Sequence, residues 1–564
     1  MIDLGKQHNP YLNKNLIKSY FSHKKNLDTI LKETDELFSR YPENMVWHSI
    51  KKQPYSAYAV FKNPLNVIAK KILSEGVRDI EAPSNTYVNE EGLAYPEWKT
   101  KLNQEYMHLL EKTTKQVNVR DFGAAGDGKT DDTSAFIRAI GSGMVSVFVP
   151  KGIYVTKGIT LPSWTRFYGE GKGKTIIKLH DSAPKGTRLV TNSNHILGNC
   201  NISVESMSLD WNIERLGSDA KTSTWGNHSS CLTYAHVTYG WVRQVEGINP
   251  GLHCFDISST FYNYFGDGMR ARGKSEFIWL DGLNGYGFGD DGITTHHSRN
   301  ILITNSHMCD PSGRSHQTGF SNSNGFEVDD GSRDVWLIHN SSARCFGGVE
   351  IKAHATSSAA SNTQIIGHLS VHDNRSFNFR HIGHHKDTDP ESLTAYNIKA
   401  SNLVAIAPVY TELYKESAPR ALVISAYSNV VINHFMAIGD TEYNYQGQPI
   451  IAVQYKSRNV TLSNVTVKDF SHAETDIKIF GGSQPADYIF LTNITCQESS
   501  PEAVYVGKEV QNISVRGLRA ERSGGKYAIH TAKDDLDIHG VQARGYKSPI
   551  SIAKNSSKEI LAYD

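Results

Sequence analysis

Between Phe288 and His385 the chain alternates apolar and polar residues in four short segments: Gly292-Ile-Thr-Thr-His296, Gly325-Phe-Glu-Val-Asp329, Gly348-Val-Glu-Ile-Lys352 and Asn378-Phe-Arg-His381. A fifth copy, Gly268-Met-Arg-Ala-Arg272, precedes them. A period of two is that of a half-buried strand. Met269, Ile293, Phe326 and Val349 are thus expected to face a core, and Arg270, Thr294, Glu327 and Glu350 to point outward into solvent. A second pattern recurs as Arg299-Asn-Ile-Leu-Ile-Thr-Asn305, Arg333-Asp-Val-Trp-Leu-Ile-His-Asn340, Ser428-Asn-Val-Val-Ile-Asn433 and Arg458-Asn-Val-Thr-Leu-Ser-Asn464, with weaker copies as far as Asp535-Leu-Asp-Ile538. Short strands repeating every roughly 23 to 35 residues, with almost no helix between them, predict a solenoid. The expected fold is all-β, a parallel β-helix in which stacked turns supply the core that no single turn can bury.

Residues 1–116 break this pattern. Leu12 to Phe38 is rich in Lys, Leu and Glu, with Leu27, Ile30, Leu31 and Leu37 at helical spacing until Pro42. Helical patterns also cover Asn66 to Glu75 and Trp98 to Thr114. None carries a cluster of reactive residues, so this region is expected to be a small, largely helical attachment segment, and 117–564 the coil.

Composition narrows the function classes. A formal net charge of +1 over 564 residues gives no bulk attraction to nucleic acid or membrane. The six cysteines form no C-x-x-C and are expected to be structural thiols. The start, Met1-Ile-Asp-Leu-Gly-Lys6, lacks the apolar core of a signal peptide, and no run is long enough to span a membrane, so secretory export is not expected. The Asn-x-Ser/Thr triplets at Asn459, Asn464, Asn493 and Asn512 are then strand and turn chemistry rather than glycosylation sites.

Gly123-Ala-Ala-Gly-Asp-Gly-Lys-Thr130 satisfies the phosphate-loop pattern. Asp127, Asp131 and Asp132 crowd the place where phosphates would sit, and no strand–helix alternation follows, which argues against nucleotide binding. Val117-Asn-Val-Arg-Asp-Phe through Asp132-Thr133 resembles instead the opening segment of pectin-lyase-like right-handed β-helix proteins, in which a short helix, here Asp132 to Ile140, caps the coil. Gly347-Gly-Val-Glu-Ile-Lys-Ala-His354, Ser376-Phe-Asn-Phe-Arg-His-Ile-Gly-His-His385 and Arg420-Ala-Leu-Val-Ile-Ser-Ala-Tyr427 are similar to the coil of the neck (pre-neck) appendage proteins of small Bacillus podophages. The resemblance covers residues 117 to 545. It implies a tail-spike-like homotrimer located on the virion, docked to phage neck or tail proteins through residues 1–116. It also implies binding and cleavage of host wall teichoic acid, a glycerol phosphate polymer. In that family a further region, partly a self-cleaving chaperone, follows the coil; here it is expected to be absent or already removed.

Stacked in register, the outward residues of successive copies lie about 4.8 Å apart. Glu327 and Glu350 become neighbours, Asp329 lies beside Lys352, and Arg270, Arg272 and Arg380 flank the column. Asp290, Asp291, Asp330, His354, His384 and His385 fall at the turns. Cleaving a phosphodiester needs a base for water, an acid for the leaving alkoxide and cations for the developing charge. Glu327 and Glu350 are the first candidates for acid and base, with Asp290, Asp291 and Asp329 beside them. Lys352, His354, Arg270, Arg272, Arg380, His384 and His385 are candidate phosphate binders. Asp290, Asp291, Asp329 and Asp330 form a candidate oxygen-only site for Mg²⁺, Mn²⁺ or Ca²⁺; no cofactor is demanded. Two alternatives remain open: a glycosidase or lyase acting on a surface polysaccharide, and a non-catalytic host adhesin.

Overall fold

The computed structural model describes residues 2–22, 25–41, 83–218, 221–224, 226–263, 267, 271–355, 357–382, 395–531, 533, 536–551 and 560–562. From Lys115 onward the chain winds into a right-handed parallel β-helix. The first strand, Lys115–Asn118, pairs with Val145–Val149, so the coil starts two residues before the expected boundary at 117. A helix at Thr133–Ile140 closes the open end, burying Ala135, Phe136, Ala139 and Ile140. The phosphate-loop look-alike is built into this cap. Asp127 accepts the backbone N–H of Lys129 and Thr130, and Asp132 that of Ala125 and Gly126. The amides that would cradle a phosphate already hold carboxylates.

From Asn324 to Gln497 each turn contributes one short and one long strand; in the two turns before Asn324 the long strand is split in two. The short strands that matter here are β1 (Phe255–Ser258), β2 (Ile293–Thr295), β3 (Asn324–Val328), β4 (Gly347–Ala353), β5 (Arg375–His381), β6 (Arg420–Ser425), β7 (Ile451–Gln454) and β8 (Thr475–Ile479). All pair in parallel, in order. Ile293, Phe326, Val349, Phe377, Leu422, Ile451 and Ile477 stack in register inside the coil, each fully buried. The inward half of the alternation is therefore as expected. One copy is not: the strand stacked before β2 is β1, and Ala271 and Arg272 lie outside any strand. Gly268 to Arg270 lie outside the described residues.

In the long strands between Arg299 and Gln497 the second residue makes a bend, and in most of them it is the Asn or Asp of the repeat. Asn300, Asp334, Asn362, Asn397, Asn429 and Asn459 sit at φ between 51° and 63°, a conformation that Asn and Asp tolerate and β-branched residues do not. Their side chains form a ladder: Asn397 Nδ2 donates to Asn362, Asn429 to Asn397 and Asn459 to Asn429, at 2.9 to 3.1 Å. A second ladder joins Asn433, Asn464 and Asn493. Asparagine in these triplets thus serves the turns. The six cysteines are all free thiols.

The N-terminal region contains helices α1 (Asn13–Ser19), α2 (Leu27–Phe38) and α3 (Lys99–Lys112) and a hairpin of Thr86–Val88 with Ala94–Pro96. The helical pattern at Asn66 to Glu75 lies outside the described residues. The region packs on the outer face of the long strands. Trp98, Leu102 and Leu109 bury Trp241, Leu302, Trp336 and Ile366, while Leu4 and Ile17 cover Leu369, Val371 and Val404. Tyr41 donates its hydroxyl to the Val430 carbonyl at 2.9 Å. It is a flank of the coil, and it leaves the short-strand sheet for the site.

Candidate active site

Register builds the site. The outward positions Asp256, Thr294, Glu327, Glu350 and Asn378 are paired one above the next from β1 to β5, and Lys352 pairs with Arg380. Glu327 and Glu350 are thus strand neighbours. They do not face solvent as the alternation predicts: Glu327 is 3% exposed, Glu350 0% and Lys352 4%. The outward face of this sheet is roofed over, partly by Tyr262, which stacks on the His296 ring with centroids 3.6 Å apart.

Burial forces every charge to find a partner. Lys352 Nζ lies 2.6 Å from Glu327 Oε1 and 3.9 Å from Asp329 Oδ2. Thr294 donates to Glu327 Oε2 at 2.8 Å and Asn324 to Oε1 at 3.1 Å. Burial would raise the Glu327 pKa, but the ammonium outweighs it and holds the group below its usual range. Glu350 accepts from Arg380 Nε at 2.5 Å and from Asn378 Nδ2 at 3.2 Å. The two glutamates are therefore held in charge pairs.

The acid–base contrast falls elsewhere, in the turn before β2. Asp291 Oδ1 accepts the backbone and side-chain N–H groups of Asn324, both at 3.0 Å. Burial, with Asp290 and Glu327 nearby, pushes its pKa well above the carboxylate range. Asp290 faces His316 Nε2 at 2.9 Å, while His253 Nε2 is shared, 3.7 Å from Asp290 and 3.5 Å from Asp291. Burial opposes its ionisation, yet these imidazoles hold its pKa well below the usual value. His253 in turn sits 3.0 Å from Asp256; against burial, that carboxylate and Asp290 lift the imidazole to about 9. Beyond β3 a second pair repeats the contrast. Burial and the charge of Asp330 raise Asp329 to about 7, while His354, 3.0 Å from Asp330, lowers the latter despite its burial.

The four aspartates proposed as one oxygen-only metal site are split. His253, Asp290 and Asp291 bring ligand atoms within 4.8 Å of one another, as do His296, Glu327 and Asp329, and Asp329, Asp330 and His354. Among the described residues, each set that could hold a cation includes one histidine nitrogen, which moves the preference from Ca²⁺ toward Mn²⁺ or Zn²⁺. Of the predicted phosphate binders, Lys352, Arg380 and His354 reach the cluster. Arg272 is instead held by its carbonyl to the Thr260 N–H. Arg270, His384 and His385 lie outside the described residues. His253, Asp256, His296 and His316 were not picked out by the sequence reading. Asp256 carried a usable signal, since Phe255-Asp-Ile257 has the same alternation as β3.

A buried, titratable cluster on the outer face of a parallel β-helix defines the class. Residues 116–349 match the family model described as rhamnogalacturonase A/epimerase, pectate lyase-like. The chain belongs to the pre-neck appendage proteins of Bacillus phages, which are virion proteins. It is 38% identical over 496 residues to the pre-neck appendage protein of Bacillus phage phi29, covering 86% of this chain and 56% of that protein. A phage-related protein of Bacillus subtilis (strain 168), YobO, is 45% identical over 462 residues, 82% of this chain and 57% of that one. The crystal structure of an N-terminal fragment of bacteriophage phi29 gene product 12 superimposes with a TM-score of 0.73 at 38% identity, covering 81% of this chain and 74% of the fragment. This chain spans little more than half the length of the curated relatives it matches.

Proposed function

We propose that the chain is the polymer-cleaving part of a virion appendage, a homotrimer that binds host wall teichoic acid and hydrolyses its glycerol phosphate backbone. The observation that carries this reading is the pair Asp290 and Asp291: adjacent carboxyls in one turn, one held ionised by imidazoles and the other kept protonated by burial and like charge. That division supplies a base and an acid. Asp290 takes a proton from the attacking water, and Asp291 gives one to the departing glycerol oxygen. Protonated His253 and His316, with the Lys352 ammonium, offset the negative charge that builds on phosphorus. Glu327 and Glu350 position Lys352 and Arg380 and are not themselves the acid and base. Residues 1–116, on the long-strand faces, serve docking to the virion.

Asp290→Asn and Asp291→Asn should each slow release of soluble phosphate fragments from purified wall by at least about a hundredfold. Glu350→Gln should act mainly on KM through Arg380. Full activity in both aspartate variants would sink the assignment. A second reading, a glycosidase acting on a surface polysaccharide, is favoured by the same pair, since one carboxyl held above and one held below the usual range also supply the acid and the nucleophile or base of glycoside hydrolysis.

A further inference from the structure

The short-strand sheet continues past the acid cluster, and its outward face changes sign. Arg375 on β5 and Arg420 on β6 are register partners, so two guanidinium groups stand on adjacent strands. Arg375 Nε donates to the Ala418 carbonyl and Arg420 Nη2 to Gln448 Oε1 at 3.1 Å. Neither forms a salt bridge with a carboxylate among the described residues. Burial and each other's proximity lower the Arg375 pKa to about 9, a sign of cations lacking a counter-charge. They line a groove of about 470 Å³ with Gln448, Gln454, Tyr455 and Lys478. Gln454 belongs to the row that runs from Lys352 through Arg380 and Ser425, so the groove is continuous in register with the acid cluster. Glu474 also lines the groove, but it pairs with Lys478 at 3.0 Å.

Two half-buried arginines without a carboxylate are costly unless a ligand supplies the anion. We propose that this groove is a second polymer-binding subsite, which takes an anionic group of the same polymer strand that is cleaved at Asp290 and Asp291. The inference rests on the reading of the chain as acting on an anionic polymer. From the turn before β2, which carries Asp290 and Asp291, to the groove on β5 to β8 is three to six strand spacings, on the order of 14–29 Å. Only a chain of several repeat units reaches both places at once. Arg presents its fork of donors to a phosphodiester oxygen pair or to a uronate, while Tyr455 and Gln454 contact the linker. Polymer held there gains residence time at the acid cluster without any change in the chemistry of cleavage.

The test uses the full chain carrying Asp291→Asn, so that polymer is bound and not consumed. Calorimetry compares it with the same chain carrying Arg375→Gln and Arg420→Gln, against long poly(glycerol phosphate), the glycerol phosphate dimer and polygalacturonate. The expected result is about a tenfold or greater loss of affinity for the long polymer, none for the dimer, and a weaker dependence on salt. Lys478→Gln, at the rim, should show a smaller loss in the same direction and serves if the double variant does not fold. Unchanged affinity for the long polymer in folded variants overturns the subsite. So does an equal loss for the dimer, because the arginines would then belong to the cleavage centre. Binding of polygalacturonate alone, lost in the arginine variants, supports the subsite and removes teichoic acid as its ligand. Binding of neither polymer by the parent overturns both.

Discussion

Replacing Lys352 by Met probes the buried charge column most sharply. Lys352 is 4% exposed, and its ammonium lies 2.6 Å from Glu327 Oε1 and 3.9 Å from Asp329 Oδ2. Met keeps the volume and removes the charge, leaving those carboxyls covered without it. Breaking a buried pair from one side costs about 3–5 kcal/mol. Roughly 450 residues follow from Lys115 on, which corresponds to an unfolding entropy of about 0.9 kcal/mol/K, so Tm at pH 7 should fall by about 3–5 °C. The pH dependence has a definite sign. Without the ammonium, Glu327 loses the charge that holds it low, and Asp329, already raised to about 7, rises further. A carboxyl whose folded pKa exceeds its unfolded value contributes stability at low pH that is lost as pH rises through the folded value. The deficit of the variant should therefore be small at pH 5 and grow toward pH 8. Scanning calorimetry at one scan rate, with Lys352→Arg as the charge-conserving control, reads this directly. A deficit under about 1 °C across that range would refute the claim that these groups form a buried charge network.

Other expectations follow from the rest of the molecule. Deleting residues 1–116 should abolish incorporation into virions, and it should also bare Trp241, Leu302, Trp336 and Ile366; a truncated coil that stays monodisperse and binds no apolar dye would contradict the packing described above. Asn429→Ala removes ladder bonds to Asn397 and Asn459 at a residue with φ of 59°. It should cost about 1–3 kcal/mol in thermal unfolding, with Asn429→Gly recovering the backbone share. Chelation with EDTA should leave polymer cleavage unchanged if His253 and His354 serve as protonated counter-charges. Loss of activity restored by added Mn²⁺ or Zn²⁺ would make them ligands instead.

The coil was legible in the sequence because its two signals are local. Alternation around Ile293, Phe326 and Val349 gives the inward face, and the Arg-Asn or Ser-Asn repeat marks each bend where asparagine adopts a positive φ. Register made Glu327 and Glu350 neighbours, and that too followed from counting. What alternation cannot show is a roof: it separates inside from outside, and Glu327 is outside the coil yet buried under Tyr262, His296 and the turns. Burial then decides the pairing, since a covered glutamate must find a partner such as Lys352, while burial and the neighbouring Asp290 push Asp291 above the usual carboxylate range. His253 and Asp256 escaped notice because the copy before β2 was placed at Gly268 to Arg272, when the strand that stacks there is Phe255–Ser258. His316 comes from a loop between two strands, with no period to betray it.

The central claim is that a phosphodiester is cut at Asp290 and Asp291. The most direct measurement is end-group analysis of defined poly(glycerol phosphate) after incubation with the wild-type chain and with Asp291→Asn, by phosphorus NMR together with a reducing-sugar assay on decorated polymer and on a capsular polysaccharide control. The account predicts new phosphomonoester ends that accumulate with wild type, fall at least about a hundredfold with the variant, and appear without new reducing ends. Reducing ends without phosphomonoesters, or phosphomonoesters released equally by the variant, would contradict it.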